Sequence, residues 1–234
     1  MTPTIDAAGE PLELLAERAA WLPRRGVVLV ADVHLGKAAS FRRLGVPVPE
    51  TTTGATLERL GSLVDKLRAQ QLIVLGDLLH GPAAHAPSLL DALVGWRGAR
   101  AHLAVLLVRG NHDARAGDPP AACGIELADE PLALGALRLH HEPPAAVPEG
   151  CFALAGHLHP ACRLRDRQGG LRLPCFWLRP RQLVLPAFGE FTGGHPVHAA
   201  PGDRLYPVAD GQVYALPPAG SEPRRPPRMR RREA

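Results

Sequence analysis

A chain of 234 residues is long enough to bury a sizeable core, and 46% apolar content excludes a disordered polymer. The formal charge of +4 admits acidic partners, nucleic acid among them. The segment "RRPPRMRRREA" at 224–234 holds six arginines against one glutamate, more than the whole excess, and reads either as a solvated tail or as a polyanion contact.

The N-terminus has no basic segment followed by an apolar one, so a secretory signal is not expected. The first predicted strand is "GVVLVA" at 26–31, and it runs into Asp32-Val33-His34. A helix is predicted over 56–70, where Leu57, Leu60, Val64 and Leu67 recur at helical spacing. The second strand, "QLIVLG" at 71–76, leads into Gly76-Asp77-Leu78-Leu79-His80. A shorter helix follows over 86–98, opened by Pro87-Ser88.

The third strand, "HLAVLLV" at 102–108, ends in Arg109-Gly110-Asn111-His112-Asp113. These three runs are almost continuously apolar, as strands covered on both faces are. Strand, helix, strand, helix, strand predicts a layered α/β fold with an open parallel sheet. Beyond about residue 125 strands and turns prevail. "ALRLH" at 136–140 ends in His140-His141-Glu142-Pro143, and "CFALAG" at 151–156 ends in Gly156-His157-Leu158-His159. A hairpin is predicted over 165–173, turning near Gly169-Gly170. Residues 1–216 read as a single domain and 217–234 as a disordered Arg/Pro-rich tail.

Cys123, Cys151, Cys162 and Cys175 form no C-x-x-C pair and read as free thiols in a reducing compartment. No run of about 18 apolar residues is present to span a membrane. A cytoplasmic protein is therefore expected.

Polar clusters at successive strand ends carry the chemistry. The carboxyl ends of parallel strands share one rim, where ligands bind. In D-x-H and H-x-H the paired side chains would lie on one side of an extended segment and aim at one centre. Carboxylate, imidazole and amide oxygen, with no thiolate, favour octahedral ions such as Mn²⁺ or Fe²⁺ over a structural Zn²⁺. These donors are too many for one ion. Two ions about 3.5–4 Å apart, bridged by Asp77, would use them all in phosphoryl chemistry.

Asp32-x-His34, Gly76-Asp77, Gly110-Asn111-His112-Asp113, His141 and Gly156-His157-x-His159 together resemble the calcineurin-like metallophosphoesterase superfamily. The resemblance covers about residues 27–160. It implies an α/β fold of a two-sheet β-sandwich flanked by helices, rather than the open sheet. It also implies that Asp32, His34 and His159 hold one ion, that Asn111, His141 and His157 hold the other, and that Asp77 bridges. His112 would protonate the leaving oxygen, with Asp113 orienting it. His141-Glu142-Pro143 fits the family's His-x-Pro block, which favours His141 over His140.

"GDLLHG" lacks the Asp and Arg of phosphoprotein phosphatases, and His112 stands where lipid A pathway pyrophosphatases carry Arg. "VADVHLGKAASFRRLGVPVPE", "RGNHD", "HHEP", "AGHLHP" and "LPCFWL…LPAFGEFTGG" are similar to the bacterial ligase-associated metallophosphoesterases. That likeness, over roughly 20–195, implies a DNA damage response endonuclease associated with a DNA ligase, an Lhr-type helicase and an exonuclease-like protein. The expected activity is a phosphodiesterase using two divalent ions, Mn²⁺ before Fe²⁺ or Zn²⁺, on single-stranded or flapped DNA in repair. The rivals are a small-molecule phosphodiesterase or phosphatase on the same fold and a catalytically silent scaffold. Lys37, Arg42, Arg43 and Arg109 are candidate phosphate contacts or plain surface charges. His80, one turn from Asp77, would touch substrate or support the site.

Overall fold

Consecutive apolar residues in the predicted strands go to two different cores. The protein, described by a computed structural model, is placed over residues 2–47, 52–165, 169–190 and 192–221. Among these residues the first sheet has seven strands in sequential order: β1 (Thr4–Ala7), β2 (Glu10–Leu15), β3 (Ala19–Leu22), β4 (Val27–Val30), β5 (Gln71–Leu75), β6 (Ala104–Val108) and β7 (Glu126–Ala128). Strands β1 to β4 form an antiparallel meander, and β4 to β7 are parallel.

Val28 and Val30 of β4 and Leu72 and Val74 of β5 face helices α2 (Thr52–Lys66) and α3 (Pro87–Gly98), packing with Leu57, Leu60, Leu93 and Trp96. Leu29, Ile73 and Leu75, on the alternate positions, enter a second core. A strand with both faces covered has no need of polar residues, which explains the unbroken runs.

The far wall of that second core is another sheet, of nine strands among the described residues. Its strands are β8 (Leu132–Leu134), β9 (Leu137–Leu139), β10 (Phe152–Ala155), β11 (Pro160–Arg165), β12 (Gly170–Arg179), β13 (Gln182–Val184), β14 (His195–Pro196), β15 (Arg204–Ala209) and β16 (Gln212–Val213). The main path runs β14-β11-β12-β13-β10-β9-β8, and β15 pairs with β12 and β16. Leu137, Leu139, Leu154, Phe176, Leu183 and Tyr206 meet the first sheet across the core.

The architecture is therefore a two-sheet sandwich with helices on the outer face of the first sheet. This is the two-sheet sandwich that the resemblance implied; the open sheet suggested by the strand pattern alone is corrected, because the strands after residue 130 build a sheet of their own. Within it β9, β10 and β13 are parallel, so β9 and β10 also carry functional groups at their carboxyl ends. The predicted hairpin is the β11–β12 pair, with Arg165 opposite Gly170.

Residues 217–221, expected in the tail, are tied to the sheet edge: the Ala219 N–H donates to the Asp203 carbonyl at 2.8 Å. The arginine-rich segment lies outside the described residues. All four cysteines are free thiols, and no helix among the described residues is long and apolar enough to cross a membrane.

Candidate metal centre

Chain geometry at five strand ends converges on one place. Asp32 and His34 follow β4, Asp77 follows β5, and Asn111 opens α4 (Asn111–Ala116) after β6. His141 follows β9, while His157 and His159 follow β10. Asp32, His34, Asp77, His157 and His159 all take left-handed backbone, with φ between 44° and 65°. Such residues cost on the order of 1–3 kcal/mol each and persist where the surroundings impose them. The expectation that the D-x-H and H-x-H pairs sit on extended segments is thus corrected. The pairs do converge, but through tight left-handed turns. Those turns are fixed by bonds between strand ends: Asp32 N–H to the Gly76 carbonyl at 3.2 Å, and His34 N–H to the Asp77 carbonyl at 2.8 Å.

The side chains form two clusters with Asp77 between them. In one, His159 Nε2 lies 3.2 Å from Asp32 Oδ1 and 3.3 Å from His34 Nε2. In the other, His141 Nε2 lies 2.9 Å from Asn111 Oδ1 and 3.0 Å from His157 Nδ1. Asp77 sends Oδ2 toward His34 Nε2 at 3.8 Å and Oδ1 toward His141 Nε2 at 3.6 Å. Two triads, Asp32/His34/His159 and Asp77/His141/His157, each bring their ligand atoms within 4.8 Å of one another.

Whether a cation fits can be read from the hydrogen bonds. Asp32 is fully buried; its Oδ2 accepts from the His157 N–H at 2.9 Å, but Oδ1 has no hydrogen-bond partner. An uncompensated buried carboxylate oxygen is costly unless a cation meets it. His141 Nδ1 donates to the Leu75 carbonyl at 3.1 Å, which turns the Nε2 lone pair into the centre. His34 Nδ1 meets His80 Nδ1 at 3.2 Å and likewise leaves Nε2 facing inward. Acceptors aimed at one another in this way suit divalent cations that take nitrogen and oxygen ligands.

Burial, reinforced by Lys37 and the neighbouring imidazoles, holds His34 far below the usual imidazole range. His80 is pushed down to about 4, by burial first and then by His112, Lys37 and His159. Both rings are therefore neutral at pH 7, as ligands and their supports must be.

The remaining predicted residues divide. His112 sits at the rim with its side chain 32% exposed, Nε2 4.0 Å from Asp77 Oδ2, and its ring stacked on His80 at 4.5 Å between centroids. Lys37 lies close enough to Asp32 and Asp77 to feel both charges, and its Nζ donates to the Thr192 carbonyl at 3.3 Å. Arg42 and Arg43 lie in the last turn of α1 (Lys37–Arg43). Arg109 turns away, in a two-pronged pair with Asp118 at 2.8 Å on both prongs. His140 also turns away, toward Glu130 at 3.1 Å, so His141 is the member of the pair that enters the centre.

The Asp113 carboxylate is engaged with backbone groups. It accepts from the Leu79 N–H at 2.8 Å and the Gly110 N–H at 3.0 Å, and so clamps two loops. Residue-type reasoning missed the Leu75 carbonyl, which has no side-chain signal, and Glu142, whose Oε1 lies 3.7 Å from His157 Nε2. Glu142 stands inside the His141-Glu142-Pro143 block and was open to that reading.

A sandwich with carboxylates, imidazoles and an amide gathered at its strand ends forms a centre that could hold divalent metal ions. Residues 26–161 match the calcineurin-like phosphoesterase family, and the chain belongs to it. It is a metal-dependent phosphodiester hydrolase. The crystal structure of the Pseudomonas putida nuclease MPE is similar at 45% identity and a TM-score of 0.80, covering 92% of this chain and 100% of that chain. Yfce, a phosphoesterase from E. coli, aligns at 17% identity and a TM-score of 0.42, over 81% of this chain and 97% of its own. No curated protein matches the chain.

Proposed function

We propose that this chain is a Mn²⁺-dependent DNA endonuclease that cuts single-stranded or flapped DNA in repair. The observation that carries the reading is the pair of donor clusters sharing Asp77, whose two oxygens face opposite ways. The likeness to a nuclease across nearly the whole chain supports a nucleic acid as the substrate. In this reading Asp32, His34 and His159 hold one ion, and Asn111, His141 and His157 hold the other, with Asp77 between. When bound, two such ions draw charge from a phosphoryl group and activate water.

The chain's own groups do the rest. His112, exposed at the rim beside Asp77, donates its Nε2 proton to the departing sugar oxygen. Lys37 supplies positive charge for the phosphate. His80 fixes the His34 ring and stacks on His112, so it sets the direction of both. Arg109, held by Asp118, has no part in the reading. The free cysteines favour a cytoplasmic setting, and the proposed functional partners are a DNA ligase, an Lhr-type helicase and an exonuclease-like protein.

Nicking of circular single-stranded DNA by purified protein with Mn²⁺ tests the proposal. Cleavage is expected, and a chelator or Asp77→Ala abolishes it. Intact DNA alongside hydrolysis of a small phosphodiester would overturn the DNA assignment and leave a small-molecule phosphodiesterase.

A further inference from the structure

His157 belongs to the candidate metal centre and also lines a groove of about 400 Å³ on the outer side of that centre. Its Nδ1 faces His141, so the ring borders both the metal ligands and the groove. Leu158 stands 37% exposed between two inward-looking histidines, thrown outward by a tight turn in which its N–H donates to the Gly156 carbonyl at 2.7 Å. Trp177 forms another wall, and it is fixed: Nε1 donates to Asp203 Oδ2 at 2.9 Å, and the Arg179 guanidinium lies 5.0 Å from the ring centroid. His195, Pro196 and His198 complete the lining.

The groove does not end there. Pro196 and His198 also border a second bay of about 470 Å³, which adds Arg163 and Leu216. Among the described residues, none that lines either bay is acidic. By contrast, the small pocket of about 20 Å³ beside His34 includes Glu190, and the one on α2 includes Glu17 and Glu58. A track with flat rings, apolar patches and one cation suits a chain of phosphates bearing flat, apolar-faced rings. Its volume is in the range of roughly 300–1,000 Å³ for a small-ligand site.

Resting on the nuclease reading, we infer that this groove receives the nucleoside next to the scissile phosphate of an unpaired DNA strand, with its base packed against Trp177 and His198. The phosphate on the metal centre and the base in the groove are then joined across His157. A paired base cannot enter, because its faces are covered by its neighbours in the duplex. Preference for single strands thus follows from the groove, whereas the metal centre by itself reads only a phosphodiester. Arg163 meets the next phosphate along the second bay.

The test measures KM with Mn²⁺ for oligothymidylate and for a chain of the same length built of stable tetrahydrofuran abasic units. The wild-type protein is expected to show a KM about tenfold lower for the thymidine chain, the size of one base–aromatic contact. Trp177→Leu and His198→Ala each shrink that ratio toward one, while Trp177→Phe keeps most of it. Two variants guard against a folding defect at Trp177, since His198 is exposed. Equal KM values in the wild type, or a ratio kept by both variants, overturn the inference alone. Failure to cut either polymer while a small phosphodiester is hydrolysed removes the nuclease reading and this inference with it.

Discussion

Gly76 has no room for a single added methyl group, since a Cβ there would overlap the imidazole of His141, and its φ of 76° disfavours any L side chain. Gly110 stands in the same relation to Asp77, and a Cβ at Gly156 would lie 2.7 Å from Asp32 Oδ2. These glycines let the backbone of one strand end touch the ligand of another. Gly76→Ala therefore displaces His141 and strains the turn, and a loss of roughly 1–3 kcal/mol in urea unfolding is expected. Mn²⁺ binding followed by calorimetry is expected to weaken at least tenfold; unchanged affinity would show that His141 is not a ligand. Asp113 yields a second expectation. Asp113→Asn replaces one acceptor oxygen by a donor against the Leu79 or Gly110 N–H, at a cost of about 1–3 kcal/mol. The shape of the pH–rate profile is expected to stay as it is, because the carboxylate bonds backbone groups. A shifted profile at unchanged stability would support the orienting role.

At the scale of elements, what was legible followed from one-dimensional pattern. The strands β4, β5 and β6 and the helix α3 lie within two residues of their predicted bounds, since their apolar runs and caps are local signals. Helix α2 starts four residues earlier than the 56–70 reading, at Thr52, because its first turn holds Thr and Gly and not apolar residues. The meander β1–β3 had no such signal. Leu12, Leu14 and Leu22 are buried in the inter-sheet core, but short strands with Ala and half-buried Glu show little alternation. The division into two sheets was legible only through the family resemblance and not through local pattern, because pairing between β10 and β13 joins residues about 30 apart through no local cue. That these residues gather at one centre was legible because each stands next to a strand end; the left-handed conformations of five of them were not, since Asp and His carry no mark of φ. The meander is a structural part of the sandwich. Leu14→Ala, at a fully buried site, is expected to cost about 2–5 kcal/mol in urea with an unchanged m-value. A cost below about 1 kcal/mol would mean that β2 is dispensable.

For the whole molecule, the centre couples folding to protons and to metal. Two imidazoles, His34 and His80, have folded-state pKa values below their ordinary 6.5, chiefly through burial. Below pH 6.5 the unfolded chain takes up protons that the metal-free folded protein refuses, so stability falls as the pH falls. The window runs from about 6.5 down to the folded values, about 4 in the case of His80. For His34, the more buried of the two, 1.5 pH units at about 1.4 kcal/mol each amount to roughly 2 kcal/mol between pH 6.5 and 5. His80 is half solvated and adds less. With chelator present, Tm is therefore expected to drop by about 4–8 °C over that interval. On the proposed function Mn²⁺ binds the folded chain and needs the His34 ring neutral, so added metal is expected to raise Tm at pH 7.5 and to do so progressively less toward pH 5. Thermal scans at four pH values, with Mn²⁺ and with chelator, measure both effects. A metal-induced rise in Tm that persists undiminished at pH 5 would mean that the ions are held by carboxylates alone, and that the histidines at the strand ends serve some other purpose.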